Sequence, residues 1–139
     1  MRPQLDDSKR RDLVNYRLSR SHNALEEVEY LVKGDYFSSA ISRLYYSCYY
    51  AAVALLVANK LETQTHAGVK SMLSKHFVKT NKLDSQYAKT FFELFDLRHA
   101  NDYDDFHVCD KETIEVFIPL AKEFISAVEG IIKTTEVAD

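Results

Sequence analysis

Arg98 is the residue whose placement most invites chemistry. Tyr87, Phe91, Leu94, Phe95 and Arg98 follow one another at i, i+4, i+7, i+8 and i+11. A helix through them sets a guanidinium on the same stripe as four largely apolar side chains. A charge that cannot be titrated away must meet an acid or an anionic ligand there. Asp102, one helical turn on, is a ready partner, and Asp104 and Asp105 follow close behind. Two readings stay open: a structural ion pair at one end of the helix, or an anion-binding arginine whose planar fork suits phosphate.

The five histidines, His22, His66, His76, His99 and His107, are scattered. His99 neighbours Arg98 in the chain but is turned about 100° from it on a helix. No two are spaced i, i+4 as metal ligands on one face would be. No Gly-rich phosphate loop, nucleophile elbow or HExxH is present, so neither a metal nor a cofactor is expected. Tyr45, Tyr46, Tyr49 and Tyr50 wrap most of one helix's circumference. They read as core and interhelical packing with hydroxyls reaching the surface, and stacking of unpaired bases on Tyr45 or Tyr46 is the functional alternative. Tyr45, Tyr46 and His66 thus join Arg98 and Asp102 as candidate binding residues. His66 is placed at a helix start.

The elements that position these groups are all helical. A first helix is expected from about Asp7 to Lys33, with Val14, Leu18, Leu25, Val28 and Leu31 in register, ended by Gly34 in the left-handed conformation. Asp35 should cap a second helix running to Asn59. Its two adjoining apolar stripes, Ala40-Leu44-Cys48-Ala51-Leu55 and Ile41-Tyr45-Tyr49-Ala52-Leu56, mark it as central. Residues 60–65 read as a loop, and Thr65 should cap a short third helix, His66 to Lys79. Asp84 should cap the fourth, with Asn101 to His107 following as an acidic loop. Asp110 should cap the last, to about Lys133, with a kink near residue 115 because Pro119 lies inside the pattern.

Composition agrees. The chain has 139 residues, 46% hydrophobic and 28% charged, which excludes a disordered or collagen-like polymer. Only 3 Gly and 2 Pro argue against loop-rich and all-β folds. The formal charge of −3 disfavours a duplex nucleic-acid binder relying on bulk electrostatics, though a local patch would suffice. Cys48 and Cys109 lie far apart without CxxC spacing and read as reduced thiols. The longest apolar run, residues 49–58, is too short to span a bilayer. The expectation is one domain over 1–139, with its core at about 8–133: an all-α, antiparallel up-and-down bundle of four long helices plus one short, cytoplasmic and without membrane contact.

Several blocks also resemble a known family. Gly34-Asp-Tyr-Phe-Ser-Ser-Ala40, Ser42-Arg-Leu-Tyr-Tyr-Ser-Cys-Tyr-Tyr-Ala51 and Ala54-Leu-Leu56 look like the second helix of HEPN domains. Thr65-His-Ala-Gly-Val69, Leu97-Arg-His-Ala-Asn-Asp-Tyr103 and Ala121-Lys-Glu-Phe124 continue the likeness over roughly residues 8–133. The resemblance implies a helical bundle that forms a homodimer, often encoded beside a nucleotidyltransferase partner as a toxin–antitoxin pair. RNA or a nucleotide would bind near Arg98. Many such proteins are metal-independent endoribonucleases with an Arg-polar-x-x-x-His motif, which would make Arg98, His99 and Tyr103 the catalytic positions.

The sequence departs from that motif in one place. Position 103 is tyrosine, as in the branch with Arg-x-x-Ala/Asn-Asp-Tyr. Tyrosine, with a solution pKa of about 10, is a poor general base at neutral pH, so cleavage is expected to be weak or absent. Arg17 and His22 satisfy the motif spacing, but within the first helix, where the match is read as coincidence. A binding partner, a ribonuclease toxin and a purely structural bundle remain the three functional alternatives.

Overall fold

The computed structural model describes residues 5–105 and 107–138. Five helices account for about four-fifths of them, and no strand occurs among the described residues: α1 Asp7–Lys33, α2 Phe37–Ala58, α3 His66–Leu73, α4 Ser85–Tyr103 and α5 Lys111–Ala138. A π-helical turn, Ser74–Val78, continues α3.

Each start carries a local reason. Asp6 accepts the Lys9 amide at 2.8 Å, Thr65 the Gly68 amide at 2.9 Å, and Asp84 the Gln86 amide at 2.8 Å. Asp110 takes both the amide and the hydroxyl of Thr113, at 2.9 and 2.7 Å. These bonds satisfy amides that would otherwise lack a partner in the first turn. The start of α2 differs from expectation: Tyr36 holds the cap position and makes no side-chain cap bond. Asp35 is instead the left-handed residue, at φ 63°, while Gly34 is at φ −89°. The reason lies in the backbone bonds: the Tyr36 amide donates to Leu31 (2.8 Å) and the Asp35 amide to Val32 (3.1 Å). That pair defines a Schellman end whose left-handed position falls one residue after the glycine, where aspartate tolerates it.

Two further boundaries are corrected. Asn101, Asp102 and Tyr103 are helical, because the Asn101 amide group ties the last turn of α4 to α2, donating to the Ser38 carbonyl at 2.9 Å and the Ser42 hydroxyl at 3.2 Å. The expected acidic loop therefore shrinks to the residues after 103, and Phe106 within it lies outside the described residues. Helix α5 continues past Lys133 and runs through Pro119.

Helix α2 packs against α1, α3, α4 and α5, as its two apolar stripes require. It is long and apolar enough to cross a membrane by length and composition, yet two-thirds of that stretch is buried in the bundle, as for a core helix. Close approach to α1 is possible because Ser21 and Ser47 sit buried between them: the Ser21 hydroxyl donates to the Ser47 carbonyl at 2.6 Å. Phe91 of α4 stacks on Phe124 of α5 at 5.6 Å, and Leu44, Leu55, Ile114 and Ile125 are fully buried in the same core. Full burial of one such side chain contributes about 1.5–3 kcal/mol.

Candidate functional site

Helix α4 presents Arg98 to α2. Its Nε lies 3.0 Å from Oδ2 of Asp102, the i,i+4 partner that helical spacing predicts, and both side chains are about a quarter to a third exposed. The guanidinium carbon sits 5.6 Å from the Tyr45 ring centre and 5.2 Å from that of Tyr46. Two aromatic faces and one carboxylate thus hold the arginine in place. Each cation–π contact is worth about 0.5–1 kcal/mol at such partly exposed positions.

The structure brings a third helix to the same cluster. His66, the first residue of α3, lies 2.7 Å through Nδ1 from the Tyr45 hydroxyl and stacks on Tyr49 at 4.2 Å between ring centres. Its place depends on the turn before it. A Cβ on Gly68 would collide with the hydroxyls of Thr63 and Thr65, so only glycine lets the chain fold tightly enough to aim His66 at α2. Burial, and then the Arg98 cation, hold the His66 imidazole below its ordinary pKa. Burial raises the phenols of Tyr45 and Tyr49, opposed by Arg98 at Tyr45 and by Arg17 at Tyr49. Near neutral pH the cluster therefore sets the Arg98–Asp102 pair beside a neutral imidazole and un-ionised phenols, so an anion reaching Arg98 competes with the Asp102 carboxylate and with no other charge of the platform.

Not every candidate joins it. Tyr45 is wholly buried, so its ring is a support for Arg98 and no base can stack on it; Tyr46 keeps partial exposure. His99 is exposed and turns to Tyr103, their rings 4.8 Å apart, and Tyr103 itself is 72% exposed. Arg98 and Tyr103 thus take different partners. His22 pairs with Glu129 at 2.8 Å, whereas the Arg17 guanidinium lies 5.9 Å from the Tyr16 ring centre, so the two residues of the Arg17–His22 spacing take different partners. Asp102 and Tyr46 also line an open groove of about 680 Å³, together with Tyr30, Leu31 and the Arg43–Glu27 pair (2.8 Å). No three His, Cys, Asp or Glu side chains converge as metal ligands would among the described residues.

Sequence reading missed the arginines of α1. The Arg20 guanidinium lies 4.3 Å above the Tyr50 ring and donates to a Tyr50 hydroxyl at 2.7 Å. The signal available was the run of adjacent tyrosines, which on a central helix must meet cations or hydroxyl partners on more than one side.

The family model described as HEPN domain matches residues 14–131. A "UPF0332 protein" of Thermotoga maritima is 30% identical over 121 residues, covering 87% of this chain and 92% of its own. Two proteins of Methanocaldococcus jannaschii named "Putative toxin", MJ0142 and MJ0605, are 31% and 27% identical over 109 residues, each covering 78% of this chain and respectively 74% and 81% of their own. With the family model spanning most of the sequence, the chain belongs to the HEPN domain family.

Proposed function

We propose that this chain is a dimeric HEPN partner in a nucleotidyltransferase-linked, toxin–antitoxin-like system, and that it binds RNA or a nucleotide at Arg98. In this reading the bundle is up-and-down, four long helices plus a short one. The exposed Tyr30, Tyr36 and Tyr103 offer apolar surface to a second copy. The observation that carries the reading is Arg98 itself: a permanent cation pinned over Tyr45 and Tyr46 and paired with Asp102, with an imidazole on the same platform. A guanidinium so fixed has little rotamer freedom left to lose when a phosphate arrives. The names of the two archaeal relatives fit a toxin-like role.

The test is binding of a uridine trinucleotide, followed by NMR shifts of the tyrosine and histidine rings. Arg98→Ala should weaken it about tenfold or more, the usual cost of one charge-assisted bidentate contact. Unchanged affinity in Arg98→Ala would end this reading.

A second reading, endoribonuclease activity, is favoured by one observation. The neutral imidazole near Arg98 is His66, whose Nδ1 lies 2.7 Å from the Tyr45 oxygen; in the tautomer that donates Nδ1–H to that oxygen, Nε2 is the unprotonated nitrogen and can accept a proton. In cleavage of this kind a base removes the ribose 2′-hydroxyl proton. The freed oxygen then attacks the adjacent phosphorus to form a 2′,3′-cyclic phosphate as the P–O5′ bond breaks, the leaving 5′-oxygen takes a proton from water, and the arginine carries the developing charge. His66 could serve as that base where Tyr103 cannot.

A further inference from the structure

We infer that the solvent face of α3 and its π-helical turn forms a phosphate-binding track that carries a single RNA strand onward from Arg98. The inference rests on reading the Arg98 cluster as an RNA site, and it concerns a surface outside that cluster. From Thr63 to Leu83 the chain contains Lys70, Lys75, Lys79 and Lys82 but none of its 21 acidic residues, although the whole molecule is net negative. None of these four lysines is ion-paired among the described residues. Like charges collected on one segment of an acidic protein, without counter-charges, repel one another and weaken the fold slightly. A polyanionic ligand offsets that cost.

The π-helical turn is what aligns them. In an uninterrupted α-helix, positions 70 and 79 lie about 180° apart, on opposite sides. The Lys79 amide instead donates to Ser74, five residues back, at 2.9 Å. The extra residue in this turn takes up about 100°, so Lys70 and Lys79 come to within about 80° of each other. Lys70, Lys75 and Lys79, with the hydroxyl-bearing Ser71 and Ser74, line a single open cavity of about 490 Å³. Ammonium and hydroxyl groups are the side chains that contact nucleic-acid phosphates, and here they recur about one helical turn apart, comparable to the step between successive phosphates of an extended strand.

The track is continuous with the Arg98 cluster. Lys70 Nζ lies 4.8 Å from the Phe95 ring and 5.5 Å from that of Phe92. Phe95 in turn edges Tyr45 at 6.1 Å, the ring over which Arg98 sits. Ala67, which lines the lysine cavity, directly follows His66. One strand can therefore leave a phosphate at Arg98, cross the first turn of α3 and run along the lysines.

The experiment uses the full chain, a fluorescent oligouridine of about 20 nucleotides and the uridine trinucleotide, each titrated at several salt concentrations. For single strands the salt slope is about −0.7 per phosphate contact. The triple variant Lys70→Gln, Lys75→Gln, Lys79→Gln should therefore have a slope shallower by about 2. Between about 50 and 200 mM salt the wild type should lose about 20-fold more affinity for the long strand than the variant does. Trinucleotide binding should not change. Because Lys70 also packs on two rings, the double variant Lys75→Gln, Lys79→Gln, confined to exposed positions, provides a second reading, with a slope shallower by about 1.4.

Equal slopes in wild type and both variants would overturn the track, as would a wild type that binds no long strand. Competition by polyglutamate as effective as by RNA would also overturn it, in favour of an acidic protein partner. Should the trinucleotide fail to bind while the long strand shows the lysine-dependent slope, the track stands and the Arg98 reading falls. Should Arg98→Ala abolish trinucleotide binding while the lysine variants leave the slope unchanged, the reverse holds.

Discussion

The bond between the Tyr45 hydroxyl and His66 Nδ1, at 2.7 Å, joins a wholly buried partner to a half-buried one, and that asymmetry makes a sharp prediction. Tyr45→Phe removes the hydroxyl and leaves its volume filled. The abandoned His66 nitrogen sits near the surface, where water can replace the phenol, so the loss is the net worth of one hydrogen bond, about 1 kcal/mol. His66→Ala does the opposite. It strands the Tyr45 hydroxyl in the core, which costs about 1–3 kcal/mol, and deletes the ring stacked on Tyr49 at 4.2 Å, which costs about 0.5–1.5 kcal/mol more. The histidine variant should therefore lose about 2–3 kcal/mol, more than twice the tyrosine variant's loss. In the Tyr45→Phe background the same His66→Ala change should cost only the stacking, about 1 kcal/mol, giving a coupling of about 1–2 kcal/mol. For a chain of this length about 4 °C of Tm accompanies each kcal/mol. Thermal and urea denaturation at pH 8, where His66 is neutral, measure all four corners of the cycle. Additivity within about 0.5 kcal/mol, or a Tyr45→Phe cost exceeding that of His66→Ala, would refute the reasoning.

Two further outcomes follow from the same groups. Because burial and Arg98 hold His66 below its ordinary pKa of 6.5, the unfolded chain takes up a proton at a higher pH than the folded one. Stability should be full above 6.5, fall as pH drops from 6.5 toward the folded value, and then level; His66→Ala should lack that part of the slope in a Tm–pH series, and an unchanged slope would exclude His66 as its source. Burial pushes the Cys48 thiol up to about 12, so iodoacetamide at pH 8 should modify Cys48 only after unfolding, as followed by peptide mass; modification of the native protein within minutes would show that the core around α2 opens readily.

Much of the fold was legible because apolar spacing is a property of each helix by itself. The stripes Ala40-Leu44-Cys48-Ala51-Leu55 and Ile41-Tyr45-Tyr49-Ala52-Leu56 are buried except for the partly exposed Tyr49, and the caps at Thr65, Asp84 and Asp110 are made as their side chains imply. The Arg98–Asp102 pair was readable for the same reason, being a contact within one turn. What escaped depended on tertiary partners or on backbone register. The last turn of α4 is held by Asn101 reaching across to Ser38 and Ser42, a tie between residues about sixty positions apart. The π-helical turn has no residue signature that periodicity detects, since Val69, Leu73 and Phe77 keep ordinary i, i+4 spacing through it. His66 could be placed at a helix start, but no spacing joins it to Arg98, thirty-two residues later. The available hint was Thr65 followed by Gly68, the mark of a capped and tightly turned entry that must aim its first side chain inward.

The distance between a motif in the chain and a site in space decides how this protein's chemistry should be sought. Arg98 and Tyr103 are five residues apart on one helix, which sets their side chains about 140° apart around its axis. Each accordingly finds a different neighbourhood: Arg98 turns to Asp102, Tyr45 and Tyr46, while Tyr103 turns to His99 at the exposed end. The imidazole that shares the Tyr45–Tyr46 platform with Arg98 is therefore His66, from α3. Replacing Tyr103 with histidine would restore the spelling of the motif without bringing the new ring to the arginine's aromatic platform. Substitutions at Arg98 and His66 interrogate one physical cluster and those at His99 and Tyr103 another, so the two pairs report on separate surfaces even though three of the four residues are neighbours in the sequence.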